Sequence, residues 1–257
     1  MKLMCGKETL LNFINIVNKA VSSRTTLPIL ECILLTADQR GFTMTANNLE
    51  LGIQTAPIDA DVLEKGEIAI EAKIFHEIIR RLNGDTVTLE TDEKNSITIT
   101  GGTSRFTIMG QSGDDFPALP DVAQEEAYTL GQNELRNLIR QTIFSIAPND
   151  SNKMMTGELF QVSGSQLKVV SLDGHRISIR NVELKDTYHD IKVIVPGKTL
   201  SEVSKILGGD NEKEVLIFFS SKHILFEFDD TIVVSRLIEG EYFRIDQMLS
   251  SDYETKI

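Results

Sequence analysis

The chain states one arrangement of elements twice, and that repetition constrains its fold more than any single motif. Residues 7–21, KETLLNFINIVNKAV, lead into LPILECILLTADQRGFTMTANNLELGIQTA, and residues 132–146, QNELRNLIRQTIFSI, lead into GELFQVSGSQLKVVSLDGHRISIRNV. Each copy passes from a helical apolar period to alternating, β-branched stretches. The order then recurs: a segment beginning GEIAIEAKIFHEIIRRLNGD is matched by DIKVIVPGKTLSEVSKILGGD. Lys73 and Lys198 open equivalent helices 125 positions apart, and Gly84-Asp85 and Gly209-Asp210 close them at the same spacing.

Within each copy the periods predict two helices. Leu10, Leu11, Ile14 and Val17 share one face, as do Ile74, Phe75, Ile78 and Leu82. Their counterparts are Leu135, Leu138, Ile139 and Ile143, then Leu200, Val203 and Leu207. FTMTANN, TVTLET, SITIT and RFTIMG read as strands, matched later by KVIV, VLIFF and ILFEF. GDDFPALPDVAQEEAY, with its prolines and polar tail, reads as a boundary, giving units at 1–122 and 123–250 with 251–257 beyond them. The expected class is α+β: sheet-rich units, each covered by a helix pair.

At 257 residues the chain accommodates two ordinary domains. An apolar fraction of 41% with 25% charged residues describes a soluble globular protein. Two distant cysteines fit a reduced, cytosolic setting, and no leader or membrane span is indicated. The formal charge of −12 argues against a uniformly basic surface, yet the predicted helices carry Lys73, Arg80, Arg136, Arg140, Lys198 and Lys205, with Arg24 just beyond the first helix. These cations lie off the apolar stripes. Gathered on one side, they suit phosphate contact that needs no base-reading pattern; dispersed, they are ordinary solubilising charge.

SLDGHR, residues 171–176, holds the residue types of an acid–base pair, and read as a strand it puts Asp173 and His175 on one side. No serine-elbow pattern accompanies them, so hydrolysis by Asp173 and His175 is the weaker reading beside a binding role. Leu172 and Ile177, with Met155, Leu237 and Met248, offer apolar contact for peptide side chains, or simply core. His76, His175, His189 and His223 have no metal-ligand spacing, and the glycine pairs match no nucleotide-binding fingerprint; neither metal nor cofactor is expected.

RTTLPIL (24–30), KIFHEIIRRL (73–82), SRF (104–106), DDFPALP, SLDGHR, VIVPGKTL and SRLIEGEYF occur in an order that resembles the bacterial DNA polymerase III beta subunits, the replication sliding clamps, over almost the whole chain. The resemblance implies a noncatalytic processivity factor of three similar domains per protomer, with sheets outside and helices lining a head-to-tail dimeric ring around duplex DNA. It implies as partners the DNA polymerase III catalytic subunit, the clamp loader, and other DNA polymerases and repair proteins, in the cytoplasm at the nucleoid. DNA contact would fall to Arg24, Lys73, Arg80, Arg136, Arg140, Lys198 and Lys205. Peptide binding would fall to Met155, Leu172, Gly174, His175, Arg176, Ile177, Phe243, Gln247 and Met248, and the subunit contact to Phe106 with Ile78. The chain departs from the pattern in two ways. SSDYETKI only approaches a third domain, so a monomeric two-domain piece is expected rather than the full-length homodimer. EYFRIDQMLS differs from the family's aromatic-Pro-Asp-aromatic run, with Phe243 at the proline position. A peptide-binding module that does not track DNA is the alternative function.

Overall fold

The computed structural model describes residues 1–148 and 152–249; the expected approach to a third unit, at 250–257, lies outside them. The first repeat runs β1 (Lys2–Gly6), α1 (Lys7–Val17), β2 (Cys32–Asp38), β3 (Gly41–Asn47), β4 (Leu51–Gln54), β5 (Ala60–Glu64), β6 (Gly66–Glu71), α2 (Ala72–Arg81), β7 (Thr86–Thr91), β8 (Ser96–Gly101) and β9 (Ser104–Met109). The second runs β10 (Tyr128–Gly131), α3 (Gln132–Thr142), β11 (Gly157–Leu172), β12 (Ile177–Pro196), α4 (Gly197–Ile206), β13 (Glu214–Phe219), β14 (His223–Phe228) and β15 (Thr231–Arg236). A last helical turn covers Ile245–Met248.

Antiparallel pairing assembles these strands into a five-stranded sheet, β5-β1-β7-β8-β9, an eight-stranded sheet, β10-β13-β14-β15-β4-β3-β2-β6, and the ribbon β11-β12. The eight-stranded sheet crosses from one repeat to the other. At the crossing β15 lies against β4, with Val233 opposite Ile53 and Ser235 opposite Leu51. The ladder continues where the Arg236 N–H donates to the Glu50 carbonyl at 2.9 Å. The repeats are thus joined by main-chain hydrogen bonds and not by side chains alone.

The helices form because their apolar residues recur on one face, and that face is buried. Leu10, Ile14 and Val17 of α1, Phe75 and Ile79 of α2, Leu135, Leu138 and Ile139 of α3, and Leu200 and Val203 of α4 are all covered. They belong to one apolar cluster that spans both repeats and includes Phe42, Phe160 and Phe226 from the strands. Full burial of such a side chain stabilises by about 2–3 kcal/mol before chain entropy is counted. One member of the expected face is misplaced: Ile74 is exposed, because the buried stripe of α2 runs through Ala72, Phe75, Ile79 and Leu82. α1 packs on α2 and α3 on α4. An ion pair bridges the two repeats here: Lys19, in the 3-10 turn after α1, meets Glu202 of α4 at 3.6 Å.

Candidate functional site: a cationic helix layer and a hairpin tip

Of the seven cations expected to meet phosphate, Lys73, Arg80, Arg140, Lys198 and Lys205 are exposed on α2, α3 and α4, and Arg24 is exposed in the loop that follows α1. Arg136 is half-buried on α3, one turn before Arg140. Arg80 and Lys205 are already engaged, Arg80 by Glu77 at 2.8 Å and Lys205 by Glu202 at 2.7 Å. Among the described residues Arg24, Lys73, Arg136, Arg140 and Lys198 have no ion-pair partner. The helix layer therefore carries uncompensated positive charge in a chain whose formal net charge is −12. That contrast is a local field, which is what attracts a polyanion.

SLDGHR is strand only at Ser171 and Leu172, which end β11, and Asp173 and His175 beyond them do not form an acid–base pair. Leu172 pairs with Ile177, so Asp173–Arg176 is the tip of the β11-β12 hairpin. Asp173 Oδ1 accepts from the N–H groups of His175 at 3.1 Å and Arg176 at 3.2 Å. Its Oδ2 accepts from Arg176 Nε at 2.9 Å. The bond from the His175 N–H, aided by Arg176, holds the Asp173 carboxyl below the usual carboxylate range. Both oxygens are committed to shaping the turn, which aspartate does well through local side-chain to backbone bonds. Gly174 supplies the left-handed residue, at φ +86°.

The first repeat contains the same turn 125 positions earlier. Asn48 Oδ1 accepts from the N–H groups of Glu50 at 3.1 Å and Leu51 at 2.9 Å, and Leu49 holds φ +71°. The position is therefore a fold-forming one in both copies, held by Asn48 in the first and Asp173 in the second. Nor do the cysteines offer a nucleophile: burial raises the Cys5 thiol to about 12 and the Cys32 thiol to about 11.

Beneath the second tip lies a separate apolar cluster. Leu159, Val170, Leu172, Ile194, Tyr242 and Ile245 are its buried members, and Met155, Ile177 and Phe243 pack against it while keeping some exposure. Of the nine residues expected to hold a peptide, Met155, Leu172, Ile177 and Phe243 thus converge, with Gly174, His175 and Arg176 exposed above them. Leu172 is fully buried and supports this surface from below instead of lining it. Gln247 and Met248 are exposed on the last helical turn, whose anchor to the cluster is Ile245. Leu237 is buried in the main core. Phe144, which the sequence did not single out, is exposed, and the Arg176 guanidinium lies 5.8 Å from its ring centre.

One buried group has no counterpart in the charge pattern. Glu158, on β11, is inaccessible to solvent, and among the described residues neither carboxylate oxygen has a hydrogen-bond partner. Thr142 is close, but its hydroxyl is directed at the Leu138 and Ile139 carbonyls. Burial raises the Glu158 carboxyl to about 8.

Phe106 is exposed on β9, a free edge of the five-stranded sheet, while Ile78 is partly buried against the core. Met109 extends the apolar surface along the same edge. An unpaired edge carrying large apolar residues invites strand addition.

Two copies of a sheet-backed helix pair, joined through a shared sheet with exposed cations on the helices, define a duplicated DNA-clamp fold. Models of the DNA polymerase III beta subunit match it twice, the N-terminal domain over residues 1–120 and the central domain over residues 129–243. Beta sliding clamps of Staphylococcus epidermidis and Staphylococcus aureus are each 33% identical over all of this chain and 70% of their own length. A solved structure described as a DNA polymerase III beta subunit from Eubacterium rectale is 55% identical, with a TM-score of 0.94 over 99% of this chain and 69% of that one. The sliding clamp of Bacillus subtilis gives 31% and 0.93 over 98% and 68%. The chain belongs to the DNA polymerase III beta subunit, or beta sliding clamp, family.

Proposed function

We propose that this chain serves as the first two clamp units of a noncatalytic, DNA-encircling processivity factor, which tethers DNA polymerases and repair proteins to duplex DNA in the bacterial cytoplasm. The reading rests on the cations of the two helix pairs and of the loop after α1: among the described residues Arg24, Lys73, Arg136, Arg140 and Lys198 have no ion-pair partner, and Lys19 bridges to Glu202 between the pairs. Such cations attract phosphate at any sequence, and a protein that must travel along DNA needs a contact of that kind.

Head-to-tail closure is the second part of the reading. β9 occupies in the first repeat the place of β15 in the second, and β15 joins β4 of the preceding repeat. The free edge of β9, with Phe106 and Met109, supports the same joint with a repeat of another protomer. The hairpin tip and the rim formed by Met155, Ile177 and Phe243 support docking of partner peptides from polymerases and the clamp loader.

The test is the affinity of the chain for a labelled DNA duplex across a salt series. Reversing Lys73 and Lys198 to Glu is expected to weaken binding and flatten its salt dependence, with each lost phosphate contact lowering the logarithmic slope by about 0.9. Parent-like affinity and slope in that variant sink the DNA-facing assignment. A hydrolase reading of Asp173 and His175 has no geometric support, since the aspartate is bound to the tip backbone and to Arg176.

A further inference from the structure

The cationic helices carry an acidic residue at the same place in both repeats. α2 reads Lys73, Glu77, Arg80 and α4 reads Lys198, Glu202, Lys205, each member 125 positions from its counterpart. Both carboxylates grip the cation three residues on, at 2.8 Å in α2 and 2.7 Å in α4. Each also takes a second cation from a different place. Glu77 holds Arg81 at 3.1 Å, whereas Glu202 holds Lys19 of the other repeat at 3.6 Å. Among the described residues the lysine one turn earlier, Lys73 or Lys198, has no ion-pair partner.

Helix stability is a weak reason for this arrangement. The pairs that hold the exposed Arg80, Arg81 and Lys205 contribute little, and neither glutamate sits in the first turn, where the helix dipole favours an anion. The consequence for an approaching duplex is larger. Each carboxylate offers two lining cations a partner that travels with them, and it repels phosphate from its own position. Fewer counterions are then exchanged on contact, which lowers both affinity and its dependence on salt. Arg80's hydrogen bond keeps the Glu77 carboxyl below its ordinary range, so this negative charge persists throughout the neutral region.

We propose that Glu77 and Glu202 are built-in phosphate surrogates: they occupy Arg80, Arg81, Lys205 and Lys19 and hold the grip of the helix layer on duplex DNA below what its cations alone would give. The inference rests on the DNA-facing reading of these helices and adds the residues that tune it.

The experiment compares the parent chain with the double variant Glu77→Gln and Glu202→Gln, again by fluorescence anisotropy of a short labelled duplex over a salt series. The double variant is expected to bind severalfold more tightly at low salt, with a salt slope steeper by about two. The variant Glu77→Asp with Glu202→Asp, which keeps the charge, is expected to retain the parent slope. Thermal unfolding of each variant confirms an intact fold, and a change in helix stability alone leaves the salt slope where it was. A third variant, Lys73→Ala with Lys198→Ala, separates the two layers of the argument. If it weakens binding while the glutamine variant behaves as the parent, the surrogate role is wrong and the DNA-facing reading stands. Parent-like binding by all three variants overturns that reading and the surrogate role together.

Discussion

The hairpin tips at Asn48–Leu51 and Asp173–Arg176 have the same backbone and different fates. Each is closed by a side-chain oxygen accepting from the residues two and three ahead, around a left-handed residue. In the first repeat the strand that leaves the tip, β4, is covered by β15, and Leu51 is buried against that joint. In the second repeat the strand leaving the tip, β12, pairs with β11 and meets Ile238 in a single bridge at its far end, at Ile194, and Arg176 remains exposed. The residues preceding the tips differ in kind as well. The Asn47 amide donates to the Pro117 and Ala118 carbonyls, whereas Leu172 packs with Tyr242 in an apolar cluster. Duplication supplied the turn twice; what lies beside it makes one copy a structural joint and the other an accessible surface.

The largest expected break in this symmetry concerns the position 125 residues apart that is buried Ile33 in one copy and buried Glu158 in the other. The Glu158 carboxyl lies at about 8 in the folded chain against 4.5 ordinarily. The native state therefore keeps a proton that the unfolded chain releases as pH rises from about 4.5 to about 8, and stability falls across that window. Glu158→Ile should raise stability at pH 8 by on the order of a few kcal/mol and flatten its dependence between pH 5 and 8. Urea unfolding at several pH values checks this, and an unchanged pH slope refutes it.

A smaller effect is expected at the left-handed positions. Leu49 takes a conformation that costs a non-glycine residue about 1–2 kcal/mol, so Leu49→Gly should stabilise the fold by up to about 1 kcal/mol after the added freedom of the unfolded chain is subtracted. Gly174→Leu should lose a comparable amount, and equal thermal midpoints for both variants and the parent contradict the assignment. The smallest effect is local. Asp173→Ala should speed amide exchange at His175 and Arg176, while Asp173→Asn, which copies Asn48, should preserve most of their protection. Equal losses in the two variants would show that charge, not turn geometry, is what Asp173 contributes.

Periodicity made the four helices, the alternating strands and their duplication legible, because burial of one helix face leaves its mark at every third or fourth residue. The same rule failed at Ile74, which lies one step off the buried stripe of α2. SLDGHR misled for a different reason: alternation was read through an Asp-Gly pair whose local bonding favours a turn. The unpaired status of Lys73 and Lys198 beside engaged Arg80 and Lys205 depends on side-chain reach, and the Lys19–Glu202 contact depends on tertiary placement. Neither leaves a trace in composition. Convergence of Met155, Leu172, Ile177 and Phe243 followed from the family resemblance, whereas Phe144 and Glu158 had no signal that separated them from an ordinary aromatic and an ordinary surface acid.

The main-chain ladder between β15 and β4 has a mechanical consequence. A hinge needs a segment where few bonds must break for the two sides to turn, and this seam is stitched residue by residue through a sheet that continues on either side. Bending stress entering the chain would be shared along the sheet instead of concentrating at the boundary between the copies. The two copies are therefore expected to turn as one rigid body.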